Sequence, residues 1–111
     1  MNIIKVDEHL NEKLKDPYFR ELYELDEQKL CIVKRIIDYR IRNKFTQGQL
    51  AKKAGVTQQY ISKIENGDFS NILTLEKILL FIGYTMRIQA IPLSLKSKNS
   101  IERAVWAKNS S

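Results

Sequence analysis

Apolar residues recur at helical spacing over most of the chain. Asp16-Pro17 reads as an N-cap followed by proline at the first helical position. The segment after it places apolar residues at helical intervals: Tyr18, Phe19, Leu22, Tyr23 and Leu25. A longer helix is predicted from Asp26 to about Asn43, with Leu30, Val33, Ile36, Ile37 and Ile41 on its buried side.

Three shorter helices follow, each bounded by local signals. A side chain that can cap an N-terminus precedes each helix and a glycine follows each one, over the ranges 46–55, 57–67 and 71–83. Thr46 and Gln49 have the spacing of a capping box. The predicted buried positions are Leu50, Ala51, Ala54, Val56, Ile61, Ile64, Leu73, Leu75, Ile78, Leu79 and Ile82.

The pattern changes after Gly83. Residues 84–91 alternate with a period of two, which predicts a strand closed by Pro92. Residues 93–111 are rich in Ser, Lys and Asn and are expected to form a mobile tail. Trp106 is unusual there, and it is either a short docking element or a residue packed against the strand. The expected fold is therefore mainly α, with a helical arm (1–28), a helical domain (29–83), one C-terminal strand (84–92) and the tail (93–111).

The central stretch, residues 46–67, is two short helices joined at Gly55. Ala51 is small enough for the second helix to cross close to the first, and Ile61 and Ile64 anchor that second helix. Its other face carries only polar residues: Gln58, Gln59, Ser62 and Lys63. Amide side chains can bind adenine edges bidentately, so this face predicts a recognition helix in a DNA major groove. The alternative is an ordinary solvated surface.

Three runs together resemble the Cro/C1-type (XRE) helix-turn-helix family over residues 29–83. They are Thr-Gln-x-x-Leu-Ala from Thr46, Gly-Val-Thr from Gly55 and Ile-x-Lys-Ile-Glu-Asn-Gly from Ile61. The resemblance implies a lambda-repressor-like helical bundle in which Gln47 braces Gln58. The residues expected at DNA are Gln47, Thr57, Gln58, Gln59, Tyr60, Ser62, Lys63 and Asn71. Tyr60 departs from the small polar residue of lambdoid phage repressors, and the resemblance assigns Arg40 and Glu65 to a partly buried structural ion pair.

Charge is unevenly distributed along the chain. Residues 1–28 hold 8 acidic and 4 basic residues, a net charge of −4, whereas residues 29–111 carry +10. A basic body suits a polyanion and an acidic arm suits a basic partner, although solvated surfaces also carry charge. Residues 14–23 resemble the N-terminal extension of HigA-type antitoxins. That resemblance implies a cognate HigB/RelE-like ribonuclease toxin, bound by Tyr18, Phe19, Leu22 and Tyr23, although this apolar stripe could equally pack on the body.

The predicted helix and strand over residues 74–91 are similar to the corresponding segments of both HigA-type and HipB-type antitoxins. A kinase toxin is therefore an alternative partner. A stand-alone phage-type repressor without a toxin is a further alternative, as is an interaction module that has lost DNA binding. The only cysteine is Cys31 and the only histidine is His9, so we expect no metal site, no cofactor and no enzyme activity. We expect a cytoplasmic, nucleoid-associated homodimer without a membrane span, bound to an inverted repeat and paired through the predicted strand.

Overall fold

The structure, a computed structural model, describes residues 3–109, with side chains described for residues 8–107. Expectations for residues 1–2 and 110–111 lie outside the described residues. Within the described range there are six helices: α1 (Ile3–Lys13), α2 (Pro17–Arg42), α3 (Gln47–Ala54), α4 (Gln58–Glu65), α5 (Ile72–Ile82) and α6 (Leu95–Asn109). The chain divides into one unit of Gln28–Ile88 and another of Met1–Glu27 with Gln89–Ser111.

The unit Gln28–Ile88 is built around one apolar core. Its buried members come from four helices: Ile36, Leu50, Ala51, Ile61, Ile64, Leu75, Ile78, Leu79 and Ile82. Burying one large aliphatic side chain contributes about 1.5–3 kcal/mol, so this cluster is the main source of stability for the three short helices α3–α5. Helices this short would be marginal in water alone, and the core is what holds α4 in place for function.

Helix α2 is continuous across the position where the sequence predicted a new helix at Asp26. Asp16 Oδ1 accepts a hydrogen bond from the Tyr18 amide at 3.0 Å, so the predicted cap starts a helix that continues to Arg42. The expected burial of Leu30 and Ile41 is wrong, because both are exposed. At 3.6 residues per turn, each lies more than about 100° around the helix from the buried Ile36.

The predicted strand at 84–92 is wrong for this structure, since residues 84–94 have no regular secondary structure and no strand occurs between residues 3 and 109. Glu76 on α5 explains the difference. Its carboxylate accepts hydrogen bonds from the Met86 amide at 3.1 Å and from the Thr85 hydroxyl at 3.0 Å. The Met86 side chain packs against the core. A side chain has thus satisfied a backbone donor that a strand would have used for pairing.

The tail expected over residues 93–111 contains helix α6. Ser94 precedes it, and its hydroxyl accepts a hydrogen bond from the Ser97 amide at 3.1 Å. Ile101, Ala104 and Val105 are half-buried and lie at helical spacing, while Trp106 is exposed. A local cap and a short apolar stripe therefore outweighed the polar composition that predicted a mobile tail.

Candidate nucleic-acid interface

Local hydrogen bonds set the turn between α3 and α4. The Thr46 hydroxyl accepts a bond from the Gln49 amide at 3.1 Å, and Gln49 Oε1 accepts one from the Thr46 amide at 2.9 Å, which completes the predicted capping box. Gly55 ends α3 with φ of 75°, a left-handed conformation that glycine adopts without steric cost. The Thr57 hydroxyl then caps α4 by accepting from the Tyr60 amide at 3.1 Å. The recognition-type helix is thus fixed in direction by residues of the turn itself.

Helix α4 has one buried face and one polar face. Ile61 and Ile64 are completely buried in the core. Gln58, Gln59 and Lys63 are exposed. Ser62 is half-buried at the edge between the two faces. The structure thus brings four of the predicted DNA-contacting residues onto one surface of amide, hydroxyl and ammonium groups, which we call the α4 polar face.

Tyr60 and Asn71 lie away from the α4 polar face. The Tyr60 ring packs against the core, and its hydroxyl donates a hydrogen bond to the Asn71 carbonyl. Burial raises the pKa of the Tyr60 phenol, and the negative charge of Asp68 raises it further. Asn71 caps α5, with its Oδ1 accepting from the Thr74 amide at 3.1 Å. The Tyr60 side chain thus joins α4 to the backbone of the residue that caps α5, while the Asn71 side chain is engaged in that cap.

Glu65, the last residue of α4, anchors that helix to α2. Arg40 Nε lies 2.8 Å from Glu65 Oε2, and Arg40 Nη2 donates to Glu65 Oε1 at 3.0 Å. Arg40 Nη1 also donates to the Phe45 carbonyl at 3.2 Å. This bidentate geometry places charge-assisted hydrogen bonds where both side chains are largely removed from water. It holds the end of the recognition-type helix against α2 and does not contribute to the α4 polar face.

Gln47 contacts this ion pair rather than Gln58. Its Nε2 donates to Glu65 Oε1 at 3.2 Å. Gln58 lies instead over Gly48: a Cβ atom on Gly48 would be 3.1 Å from Gln58 Oε1 and 3.6 Å from Gln58 Cδ. Gln47 therefore does not brace Gln58 as the resemblance implies, and the Gln58 carboxamide occupies the space that a side chain at position 48 would need.

Gly48 was not among the residues expected from sequence. The signal that could have identified it is a glycine in the first turn of a helix, where alanine is preferred. Lys52 and Lys53 on α3 are exposed cations in the same domain, and Lys53 Nζ lies 5.3 Å from the centroid of the Phe45 ring. They are available to contact phosphate groups.

The residues expected to bind a toxin lie on α2 in the other unit. Phe19 and Tyr23 stack with ring centroids 6.2 Å apart, and Lys13 Nζ lies 5.6 Å from the Phe19 centroid. Tyr18, Phe19 and Tyr23 are half-buried. Leu22 is 48% exposed. Exposed Asp26 lies one turn after Leu22 on the same side of the helix, so the most exposed residue of the stripe has an acidic neighbour.

Comparison with known protein families supports the helix-turn-helix motif. Residues 36–88 match the helix-turn-helix family model, which spans α3, α4 and α5 together with the end of α2. The match supports an XRE-type helix-turn-helix domain over residues 36–88, a domain type of sequence-specific DNA-binding regulators. No significant match to the chain was found among curated proteins or among solved structures. None of the helices within residues 3–109 has the length and apolar character that crossing a membrane requires.

Proposed function

We propose that this protein is a transcriptional repressor that binds an inverted repeat in its own operon. The observation that carries the proposal is the α4 polar face, which offers Gln58, Gln59 and Lys63 on a helix whose opposite side is locked into the core. Such a helix can enter the major groove without disturbing its own packing, and amide and ammonium side chains there read base edges and phosphates.

The direct test is binding of the full chain to the DNA upstream of its own gene. A gel-shift titration at fixed salt should show tighter binding to that fragment than to a shuffled fragment of equal length. Footprinting should then reveal two protected half-sites about 34 Å apart, one turn of the duplex. Equal affinity for both fragments would contradict sequence-specific binding.

We further propose that two copies associate through the outer face of α5, meaning Leu73, Leu80 and Phe81. Leu73, which the sequence wrongly predicted to be buried, is 82% exposed, and Leu80 is 58% exposed, whereas the opposite side of α5 is buried. An exposed apolar stripe opposite a buried face is unfavourable in water unless a partner covers it. The charged residues between them are engaged within the chain: Lys77 Nζ lies 3.3 Å from the Gly55 carbonyl, and Glu76 holds Met86. Apart from Lys77 this face is apolar, which suits a second copy better than it suits a strongly charged partner.

The second proposed activity is neutralisation of a basic toxin by residues 1–28. The observation that favours it is the exposed Leu22 with Asp26 one turn away, on an arm whose net charge is −4. A ribonuclease surface that holds RNA must be basic, so an acidic arm would speed encounter, while apolar anchors would supply affinity. The resemblance of residues 14–23 to HigA-type antitoxins supports a HigB/RelE-like ribonuclease as that toxin. The protein would then act in the cytoplasm, on the nucleoid.

The neighbouring gene separates this proposal from its alternatives. A small basic neighbour of toxin type supports the ribonuclease partner, and a neighbour the size of a kinase would favour a HipB-like role. The absence of a toxin on either side would favour a stand-alone repressor. Co-expression completes the test, because an antitoxin must restore growth to cells that express the neighbour.

A further inference from the structure

Gly48 lies in the first turn of α3, and its backbone does not explain why glycine is there. The glycines of the chain with positive φ are Gly55, Gly67 and Gly83, so Gly48 is an ordinary helical residue. Glycine in a helix is unfavourable relative to alanine because it loses more conformational freedom on folding. A reason for glycine at this position must therefore come from the space around it.

That space is occupied by the carboxamide of Gln58. A Cβ on Gly48 would lie 3.1 Å from Gln58 Oε1, which is closer than nearly all real contacts of this kind. The next nearest atom of another residue, Thr46 Oγ1, would be 3.9 Å away and so in ordinary contact. The missing methyl group thus leaves room for one side chain, and that side chain belongs to the α4 polar face.

Within the described residues, Gln58 also has no hydrogen bond that would hold its carboxamide. The candidate brace, Gln47, donates its Nε2 to Glu65 at 3.2 Å and is committed to the ion pair with Arg40. The open space over Gly48 is therefore what allows the exposed carboxamide to lie close to α3. A side chain that reads a base must be held close to its productive position, because a small displacement breaks a bidentate contact.

From this geometry we infer that Gly48 is a specificity-determining residue that acts through Gln58: the absence of its side chain sets the carboxamide position and hence the base that Gln58 selects. The inference rests on the proposed DNA binding by the α4 polar face. Gly48 is a positioning residue, since it contributes no polar side chain of its own. A methyl group at position 48 moves the Gln58 carboxamide outward or into another rotamer, and its base preference changes with it.

Selection from a random pool tests this inference. Full-length protein is used to enrich duplexes randomised over 20 base pairs, for wild type, Gly48→Ala, Gln58→Ala and the double variant. Gly48→Ala should change the preference at one base pair of each half-site by about five-fold or more, the lower end of what a bidentate contact supplies. In the Gln58→Ala background, adding Gly48→Ala should change no base preference, because the side chain through which it acts is gone.

Thermal unfolding of the same four proteins supplies a second readout. Alanine favours helix, so Gly48→Ala should keep or raise the Tm even as it alters selectivity. If contact with Gln58 instead lowers the Tm, the double variant should recover it. A structural role alone would change stability and leave base preference intact.

The outcomes separate the inference from the proposed function. If wild type enriches no sequence, both fail. If wild type and Gly48→Ala enrich the same sequence with the same base frequencies, the role of Gly48 is wrong while DNA recognition stands. If Gly48→Ala shifts base preference equally with and without Gln58, it acts through another residue and the inference is overturned.

Discussion

Arg40 and Glu65 are joined by two parallel hydrogen bonds, 2.8 Å and 3.0 Å long, across 25 positions of sequence. Glu65 Oε1 also accepts from Gln47 at 3.2 Å, and Arg40 reaches the Phe45 carbonyl. The pair therefore connects the end of α4 to α2 and to the first turn of α3. The helix proposed to read DNA is fixed at its far end by this network, and α4 should lose that anchor when either partner is removed.

Removal of one charge should be costly because its partner stays largely removed from water. We expect Glu65→Ala to lower the free energy of unfolding by about 3–5 kcal/mol, since the Arg40 guanidinium is left without a counter-charge. Urea unfolding followed by circular dichroism measures the change. Glu102 is the matched control: it pairs with Lys98 at 3.7 Å on an exposed surface, so Glu102→Ala should leave stability nearly unchanged. Equal small effects for both variants would contradict a structural role for the Arg40–Glu65 pair.

Phosphate contacts and base contacts should respond differently to salt. Gln58→Ala should weaken binding to the selected sequence by about 1–3 kcal/mol and leave the salt dependence unchanged. The double variant Lys52→Ala, Lys53→Ala should weaken binding to all sequences. The slope of log affinity against log salt concentration should become shallower by about 0.9 for each phosphate group that the variant no longer neutralises. Fluorescence anisotropy at four salt concentrations measures both. An unchanged slope for the lysine variant would mean that these cations do not face DNA.

Alkaline pH should destabilise the fold through Tyr60. Burial, together with the charge of Asp68, raises the pKa of its phenol in the folded state, so the folded state favours the neutral phenol. The corresponding stability is fully present below the unfolded pKa of about 10 and is lost as pH rises through the higher folded value. Urea unfolding between pH 8 and 11 should therefore show a steeper loss for wild type than for Tyr60→Phe. If wild type and Tyr60→Phe lost stability equally as the pH rose, another group would control the stability at alkaline pH.

The outer face of α5 should control self-association. Leu80→Glu places a charge on the proposed contact between copies and should shift the protein from dimer to monomer in sedimentation equilibrium. Ile41→Glu is the matched control, because Ile41 is 60% exposed and Leu80 is 58% exposed, yet Ile41 lies on α2. The control should remain dimeric. Dissociation by Ile41→Glu and not by Leu80→Glu would place the contact elsewhere.

Toxin neutralisation should depend on the arm and not on the DNA-binding face. Leu22→Arg inserts a positive charge into the apolar stripe and should abolish protection of cells that express the toxin, while operator binding is kept. Leu30→Arg is the control, since Leu30 is 47% exposed and Leu22 is 48% exposed on the same helix. A chain that begins at Asp26 should behave like Leu22→Arg. Full protection by that shortened, folded chain would assign the toxin to another surface.

Sequence alone determined those features that depend on neighbours within about four positions. Thr46, Thr57 and Asn71 each cap a helix as predicted, and Gly55 and Gly83 end helices in the left-handed conformation. These hydrogen bonds close within one turn, so residue type and spacing suffice to specify them. The buried side of α4 was equally predictable, because Ile61 and Ile64 are three positions apart on a short helix.

Tertiary structure decided the features whose partners are distant in the chain. The alternation of apolar and polar residues over 84–91 predicts a strand. In the structure the Met86 amide instead donates to Glu76, ten positions away in the chain. A strand without a neighbouring strand forms no inter-strand hydrogen bonds that could compete with that bond. Gln47 lies eighteen positions from Glu65 and is diverted from Gln58 by the ion pair. Whether Gly48 leaves room for Gln58 depends on how closely α3 and α4 cross, a distance that packing of the shared core sets and no local pattern contains.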